Sequence, residues 1–99
     1  MLRELDLNNF DIETKENVKL VEFYTTWCGY CKKQKVELEK MDKVWIGQVD
    51  ADNNPEIAAK YGVNAFPTFL ILKNGKEIER FSGLRNKEEI MDKIMRHLK

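Results

Sequence analysis

Apolar runs separated by short polar stretches divide the chain into segments of strand and helix length. Residues 18–24 are apolar except at Lys19 and Glu22, and the lack of strict alternation predicts a strand buried on both faces. Residues 44–49 and 68–72 are two further apolar runs of strand length. These three segments predict the core of a β-sheet.

The beginning of the chain has a weaker pattern. Residues 2–7 alternate between apolar and polar side chains, which predicts a short strand. Residues 8–17 contain Phe10 and Ile12 among polar residues, and this composition fits either a brief helix or a connection. The pattern leaves both readings of this second segment open.

Three helices follow from apolar spacing and from residues typical of helix ends. Residues 32–43 predict a first helix, and Asn54 followed by Pro55 is a helix start that Gly62 terminates. Residues 87–98 predict an amphipathic helix that covers one face of the sheet. Its apolar stripe comprises Ile90, Met91, Ile94, Met95 and Leu98.

The pair Asn74-Gly75 predicts a tight hairpin, because both residues accept positive φ angles. The partner strand is residues 77–82. Strands alternating with helices and followed by a hairpin predict an α/β chain of three layers, with helices on both faces of a central mixed sheet of four to five strands. The length of 99 residues fits one domain, residues 1–99.

Composition and charge exclude several classes of function. The chain is 42% hydrophobic and carries 17 basic and 17 acidic residues without a strongly one-signed segment, which argues against disorder and against nucleic acid or membrane partners. No apolar run reaches the roughly 18 residues of a membrane span, and residues 1–7 lack the apolar core of a secretory signal. We therefore expect a cytoplasmic protein, and a monomer.

The two cysteines, Cys28 and Cys31, predict redox chemistry. At the first turn of a helix, side chains three residues apart lie on one face, close to the separation that a disulfide needs. A zinc site is the competing hypothesis, but it needs about four ligands and His97 is the only histidine. A purely structural disulfide is disfavoured because so short a loop yields little stabilisation. We expect no metal site.

Several motifs in order carry a resemblance to a known family. The sequence Trp-Cys-Gly-Tyr-Cys at residues 27–31, then Phe66-Pro67-Thr68, Asn74-Gly75 and Gly83, resembles the thioredoxin family over nearly the whole chain. The resemblance implies the thioredoxin fold and a protein-disulfide reductase with a redox-active disulfide, Cys28–Cys31, and no bound cofactor. It also implies disulfide-containing protein substrates and an NADPH-dependent thioredoxin reductase as partners.

The expected catalytic residues are Cys28, Cys31 and Glu22. A helix N-terminus beside Cys28 favours its thiolate, so we expect Cys28 to attack a substrate disulfide and the less accessible Cys31 to resolve the mixed disulfide. An isolated acid such as Glu22 is usually exposed. Its position matches a buried carboxylate of the family that relays a proton, however, and the family's frequent lysine partner is replaced by Gln48.

The resemblance also implies a substrate-contact surface. It comprises Trp27, Gly29, Tyr30, Phe66, Pro67 and Gly83, with Leu84 beside them. The family pattern implies a cis bond before Pro67 and leaves the backbone of Phe66 free to pair with an extended substrate. Tyr30 departs from the family's usual proline, and we expect one more backbone N–H to point toward Cys28 in consequence.

Three alternative functions remain open at this point. A thiol oxidant or isomerase, or a glutathione-coupled protein similar to a glutaredoxin, would share the architecture and differ in reduction potential. A non-catalytic binding subunit would use the fold as an interaction surface only. Loss of Cys28 separates these classes, because an enzyme then loses disulfide reduction whereas a binding subunit keeps its partner.

Overall fold

The computed structural model describes residues 1–98 and contains five strands and four helices within that range. The strands are β1 (Leu2–Leu5), β2 (Val18–Tyr24), β3 (Ile46–Asp50), β4 (Thr68–Lys73) and β5 (Lys76–Ser82). The helices are α1 (Phe10–Thr14), α2 (Gly29–Glu39), α3 (Pro55–Lys60) and α4 (Lys87–His97). None of these helices is both long and apolar enough to cross a membrane.

The strands form one mixed sheet in the order β1-β3-β2-β4-β5. Strand β3 is parallel to both β1 and β2, whereas β4 is antiparallel to β2 and to β5. The hairpin between β4 and β5 contains Asn74 and Gly75, which have φ angles of 52° and 83°. The predicted mixed sheet and its closing hairpin are therefore confirmed.

Helices cover both faces of the sheet and create two apolar cores. On one face, Phe10 of α1 and Ile57 of α3 pack against side chains of the sheet that include Phe23. On the other face, Leu38 of α2 and Ile90 of α4 pack against the remaining sheet side chains. Strand β2 supplies residues to both cores, which explains why its sequence lacks strict alternation.

Helix α2 differs most from its predicted bounds. It begins at Gly29 rather than residue 32, because Cys28 caps it at the helix N-terminus that was expected beside this cysteine, and it ends at Glu39 rather than residue 43. Asn54 stands at the predicted cap position of α3, but its side chain donates to Asp50 O (3.1 Å) and does not cap the helix.

The other boundary differences are smaller. Residues 10–14 form α1, which settles the segment that the pattern left open, and β1 ends two residues before the predicted end. On α4, Ile90 and Ile94 are buried, whereas Met95 and Leu98 are exposed. The apolar stripe therefore covers the sheet only along the first two turns of α4.

The topology brings the predicted site residues to one edge of the sheet. Strands β2 and β3 are parallel, so their carboxyl ends, at Tyr24 and Asp50, lie side by side. Strand β4 begins at this edge, directly after Pro67, and β5 ends there, directly before Gly83. Three loops distant in sequence therefore meet beside the first turn of α2.

Candidate active site

Cys28 occupies the N-cap position of α2 and has an extended backbone conformation. Its Sγ accepts a hydrogen bond from the backbone N–H of Cys31 at 3.1 Å. The first N–H groups of a helix have no partners within the helix and carry partial positive charge, so this contact places Cys28 Sγ at the positive end of α2. Both sulfurs belong to buried residues, with 8% of Cys28 and 6% of Cys31 exposed.

Cys31 lies in the first turn of α2 and faces the interior. Burial raises the pKa of its thiol to about 12, and hydrogen bonding with Cys28 contributes in the same direction. The backbone contact with Thr25 opposes this shift. Cys31 therefore keeps its proton at neutral pH unless a base removes it.

Glu22 lies behind the dithiol and is 1% exposed. Its Oε1 accepts a hydrogen bond from Gln48 Nε2 at 3.0 Å, while its Oε2 has no partner among the described residues. Burial raises the pKa of Glu22 to about 7, and the hydrogen bond from Gln48 only partly offsets this effect. A carboxyl group in this condition can both accept and release a proton near neutral pH.

A polar cavity of about 240 Å³ connects Glu22 to Cys31. Its lining residues are Glu4, Glu22, Tyr24, Thr25, Thr26, Cys31, Lys32, Lys35 and Gln48. This volume has room for several water molecules. At its outer side, Tyr24 Oη donates to Glu4 Oε2 at 2.9 Å. A second carboxylate and the ammonium of Lys35 therefore face the same space as Glu22.

The opposite side of the dithiol is an exposed apolar surface. Trp27 is 69% exposed and Tyr30 is 62% exposed. The Trp27 ring packs edge-on against Phe66, with 6.5 Å between ring centroids. Trp27 Nε1 donates to Asp52 Oδ2 at 2.8 Å, which fixes the orientation of the indole.

The loop before β4 lies directly against Cys28. The Phe66–Pro67 peptide bond is cis, as the family pattern implied. Cys28 Sγ lies 3.6 Å from Phe66 O, and Gly83 N donates to Pro67 O at 3.0 Å. The structure therefore gathers the predicted residues around the dithiol, with Glu22 on the inner side and the contact residues on the outer side.

The structure adds detail at two further residues that the sequence analysis named. Tyr30 N–H makes no hydrogen bond to Cys28 Sγ in the described part of the chain, where the N–H donor is that of Cys31. His97 lies on α4 and pairs with Glu79 Oε1 at 2.7 Å. Within residues 1–98, no cluster of three His, Cys, Asp or Glu side chains could hold a metal ion.

Sequence reasoning missed Glu4, Tyr24 and Lys35 as neighbours of the buried carboxylate. Glu4 and Glu22 are both in register with Gln48 on adjacent strands, so the three side chains lie in one row across the sheet. These residues are visible in the sequence, but the strand register that aligns them is not. The strand order and register together would have predicted that Glu4, Gln48 and Glu22 are neighbours.

Comparisons with known proteins agree with this arrangement. The family model described as Thioredoxin matches residues 2–96. The chain is 39% identical over 95 residues to a thioredoxin of Bacillus subtilis, covering 91% of each chain, and 34% identical over 101 residues to one of Chlamydia caviae, covering 98% of this chain and 99% of that one. The X-ray structure of Fasciola hepatica thioredoxin superposes with a TM-score of 0.83 at 39% identity, covering 96% of this chain and 98% of that chain.

Proposed function

The chain belongs to the thioredoxin family and is a thiol-disulfide oxidoreductase, and from this premise we propose that Cys28 attacks protein disulfides and Cys31 resolves the product. The observation that carries this division of roles is the hydrogen bond from Cys31 N–H to Cys28 Sγ at the start of α2. It favours a thiolate at Cys28, whereas burial keeps Cys31 protonated.

The proposed reaction proceeds in two exchange steps. The Cys28 thiolate attacks one sulfur of the substrate disulfide, and the other substrate sulfur leaves as a thiolate that takes up a proton. Cys31 then loses its proton and attacks Cys28 Sγ, which releases the second substrate thiolate and closes the Cys28–Cys31 disulfide. Two electrons pass from the dithiol to the substrate, which ends as two thiols.

Glu22 is the proposed base for the second step. The raised pKa of Cys31 makes removal of its proton the difficult part of resolution, and Glu22 has a pKa near 7 and lines the same cavity. Ionised Glu22 accepts the proton from Cys31, directly or through water in the cavity. Neutral Glu22 can return a proton when the disulfide is reduced again.

Substrate recognition is assigned to the outer surface. Trp27, Tyr30 and Phe66 offer apolar contacts around Cys28, and the backbone of the Phe66–Pro67 loop can pair with an extended segment. The surface also includes Gly29, Gly83 and Leu84. Such pairing tolerates many sequences, which suits a reductant of diverse proteins.

The reaction needs a source of two electrons outside the dithiol. We assign this role to an NADPH-dependent thioredoxin reductase, as is general for the family, and assign no bound cofactor to the chain itself. A reducing compartment such as the cytoplasm suits this direction of electron flow, because thiols stay reduced there.

Two cysteine variants test the proposal. Cys28→Ser should abolish reduction of a protein disulfide such as insulin, because no nucleophile remains. Cys31→Ser should accumulate a mixed disulfide through Cys28, which mass spectrometry of the non-reduced protein detects. A mixed disulfide that forms through Cys31 in Cys28→Ser, at the wild-type rate, would overturn the assigned roles.

A further inference from the structure

Gln34 is a buried polar side chain that the exchange reaction does not use. It lies on α2, three residues after Cys31, and has no exposed surface. Its amide forms two hydrogen bonds with the backbone of one distant residue: Gln34 Nε2 donates to Arg85 O at 2.8 Å, and Arg85 N donates to Gln34 Oε1 at 2.8 Å. We call this pair of hydrogen bonds the Gln34 clamp.

Arg85 belongs to the connecting segment 83–86, which joins β5 to α4 and has no helix or strand structure. Gly83, at the start of the segment, donates its N–H to Pro67 O and has a φ angle of 88°. Leu84 follows and is exposed. One short segment therefore carries two residues of the proposed recognition surface and is bound to α2 directly behind them.

The clamp closes a ring of contacts around the part of the recognition surface formed by the Phe66–Pro67 loop and segment 83–86, which we call the substrate groove. Cys28 Sγ lies against Phe66 O, Pro67 O accepts from Gly83 N, and Arg85 is bound to Gln34 on the dithiol helix. The side chain of Arg85 also bonds Ser82 O, which holds the segment to the end of β5. Hydrogen bonds to Pro67 and Ser82 at one end and to Gln34 at the other therefore fix the position of segment 83–86 relative to Cys28.

Removing the amide would leave both backbone groups of Arg85 without their partners. A backbone N–H or C=O that is shielded from water without a hydrogen bond is costly, so the segment would move until water reached these groups. Because Gly83 and Leu84 lie on the same segment, they would move as well. The dithiol itself would keep its own hydrogen bond from Cys31 N–H.

We propose that Gln34 is a positioning residue that sets the substrate groove by holding segment 83–86 at a fixed place relative to Cys28. The inference rests on the proposed function, in which this segment contacts the substrate. It predicts a selective defect in a Gln34 variant. Reduction of protein disulfides that pair with the groove should be impaired, whereas reduction of a small disulfide that reaches only Cys28 should not.

The test compares Gln34→Met with the wild type in single-turnover reactions of the pre-reduced protein, which need no reductase. For insulin as substrate, the half-saturating concentration should rise about fivefold, as expected for lost binding contacts. For a small aryl disulfide, the rate should stay within about twofold of the wild-type rate. Amide exchange at Arg85 N–H should become faster.

Matched variants separate positioning from stability. Thr14 is also buried and its Oγ1 donates to Phe10 O at 2.8 Å on α1, so Thr14→Val removes a buried hydrogen bond outside the groove and should leave the reduction of both substrates unchanged. Gln34→Asn, which keeps the amide but shortens its reach, serves as the second variant if Gln34→Met does not fold.

The outcomes are distinct. Equal losses for insulin and for the aryl disulfide would overturn the proposal, since they would show a general role of Gln34 in folding. Unchanged kinetics with both substrates would overturn it too. Failure of the wild type itself to reduce insulin would instead refute the proposed function, so the two failures are distinguishable.

Discussion

The two sides of the dithiol differ in exposure, polarity and chemical role. The outer side is apolar and open, with Trp27 and Tyr30 both more than half exposed. The inner side is polar, with Glu22 buried beside Gln48 at the wall of a cavity that opens to solvent near Glu4 and Lys35. A single helical turn from Cys28 to Cys31 separates them, so in the proposed mechanism one short motif serves both substrate recognition and proton transfer.

This difference teaches how the two cysteines acquire different properties. Cys28 is at the helix end and touches the Phe66–Pro67 loop, whereas Cys31 is one turn inside and faces the cavity. Variants on the inner side should therefore change pH dependence and resolution. Variants on the outer side should change the half-saturating concentration of a protein substrate.

Among the variants that test this difference between the two sides, Glu22→Gln should have the largest effect, on the rate of resolution. Removing the proposed base for the Cys31 proton should slow resolution by on the order of tenfold to a hundredfold at pH 7. Stopped-flow reduction of insulin under single-turnover conditions measures this, with the mixed disulfide accumulating as the rate falls. A wild-type rate across pH 6 to 9 would remove Glu22 from the proposed mechanism.

The same variant makes a prediction about stability. The pKa of Glu22 is raised from 4.5 in the unfolded chain to about 7 in the folded protein. The free energy of unfolding is therefore highest below pH 4.5, where Glu22 is neutral in both states, and it falls as the pH rises to about 7. The loss amounts to about 3 kcal/mol. Glu22→Gln should lack this loss and be more stable than the wild type at pH 7, as measured by urea unfolding at pH 4.5 and pH 7.

Two Gln48 variants should shift the pKa of Glu22 in opposite directions. Gln48→Lys places a cation beside Glu22 and should lower its pKa by about 1 to 3 units. Gln48→Met removes the hydrogen bond that now lowers this pKa and should raise it. Carboxyl titration by infrared spectroscopy or NMR measures both, and shifts of the same sign would contradict this account of Glu22.

On the outer side, Trp27→Ala should raise the half-saturating concentration of insulin about fivefold while sparing a small aryl disulfide. The indole contacts Phe66 and is held by Asp52, so its exposed apolar face has a fixed orientation on the proposed recognition surface. Ile78→Ala is the matched control, since Ile78 is an exposed apolar residue on β5. Equal effects of the two variants would argue against a localised contact surface.

The sequence allowed the fold and the cis bond before Pro67 to be predicted, and the surroundings of Glu22 only in part. Strand runs, the hairpin at Asn74-Gly75 and the spaced cysteines are local signals, and the structure confirms them. The meeting of Glu4, Gln48 and Glu22 depends on strand register, which local pattern does not determine. Gln34 was hidden for a similar reason, because its partner lies 51 residues away.

The smallest effect should come from Tyr30→Pro, which tests the departure from the usual family motif. Tyr30 N–H does not bond Cys28 Sγ, but it is one of the first N–H groups of α2 and adds to the positive end of the helix. Proline removes this N–H, so the thiolate should be less stabilised and the dithiol more reducing by about 10 to 30 mV.

Tyr30→Ala is the control for this last change, because it removes the exposed ring and keeps the N–H. Its reduction potential, measured by equilibration with glutathione or dithiothreitol, should equal that of the wild type. Equal shifts of the reduction potential in Tyr30→Pro and Tyr30→Ala would assign the effect to loss of the ring. A wild type as reducing as Tyr30→Pro would refute the proposed effect of the N–H. A shift in Tyr30→Pro alone would make this backbone N–H the one feature of the outer side that also acts on the sulfur chemistry.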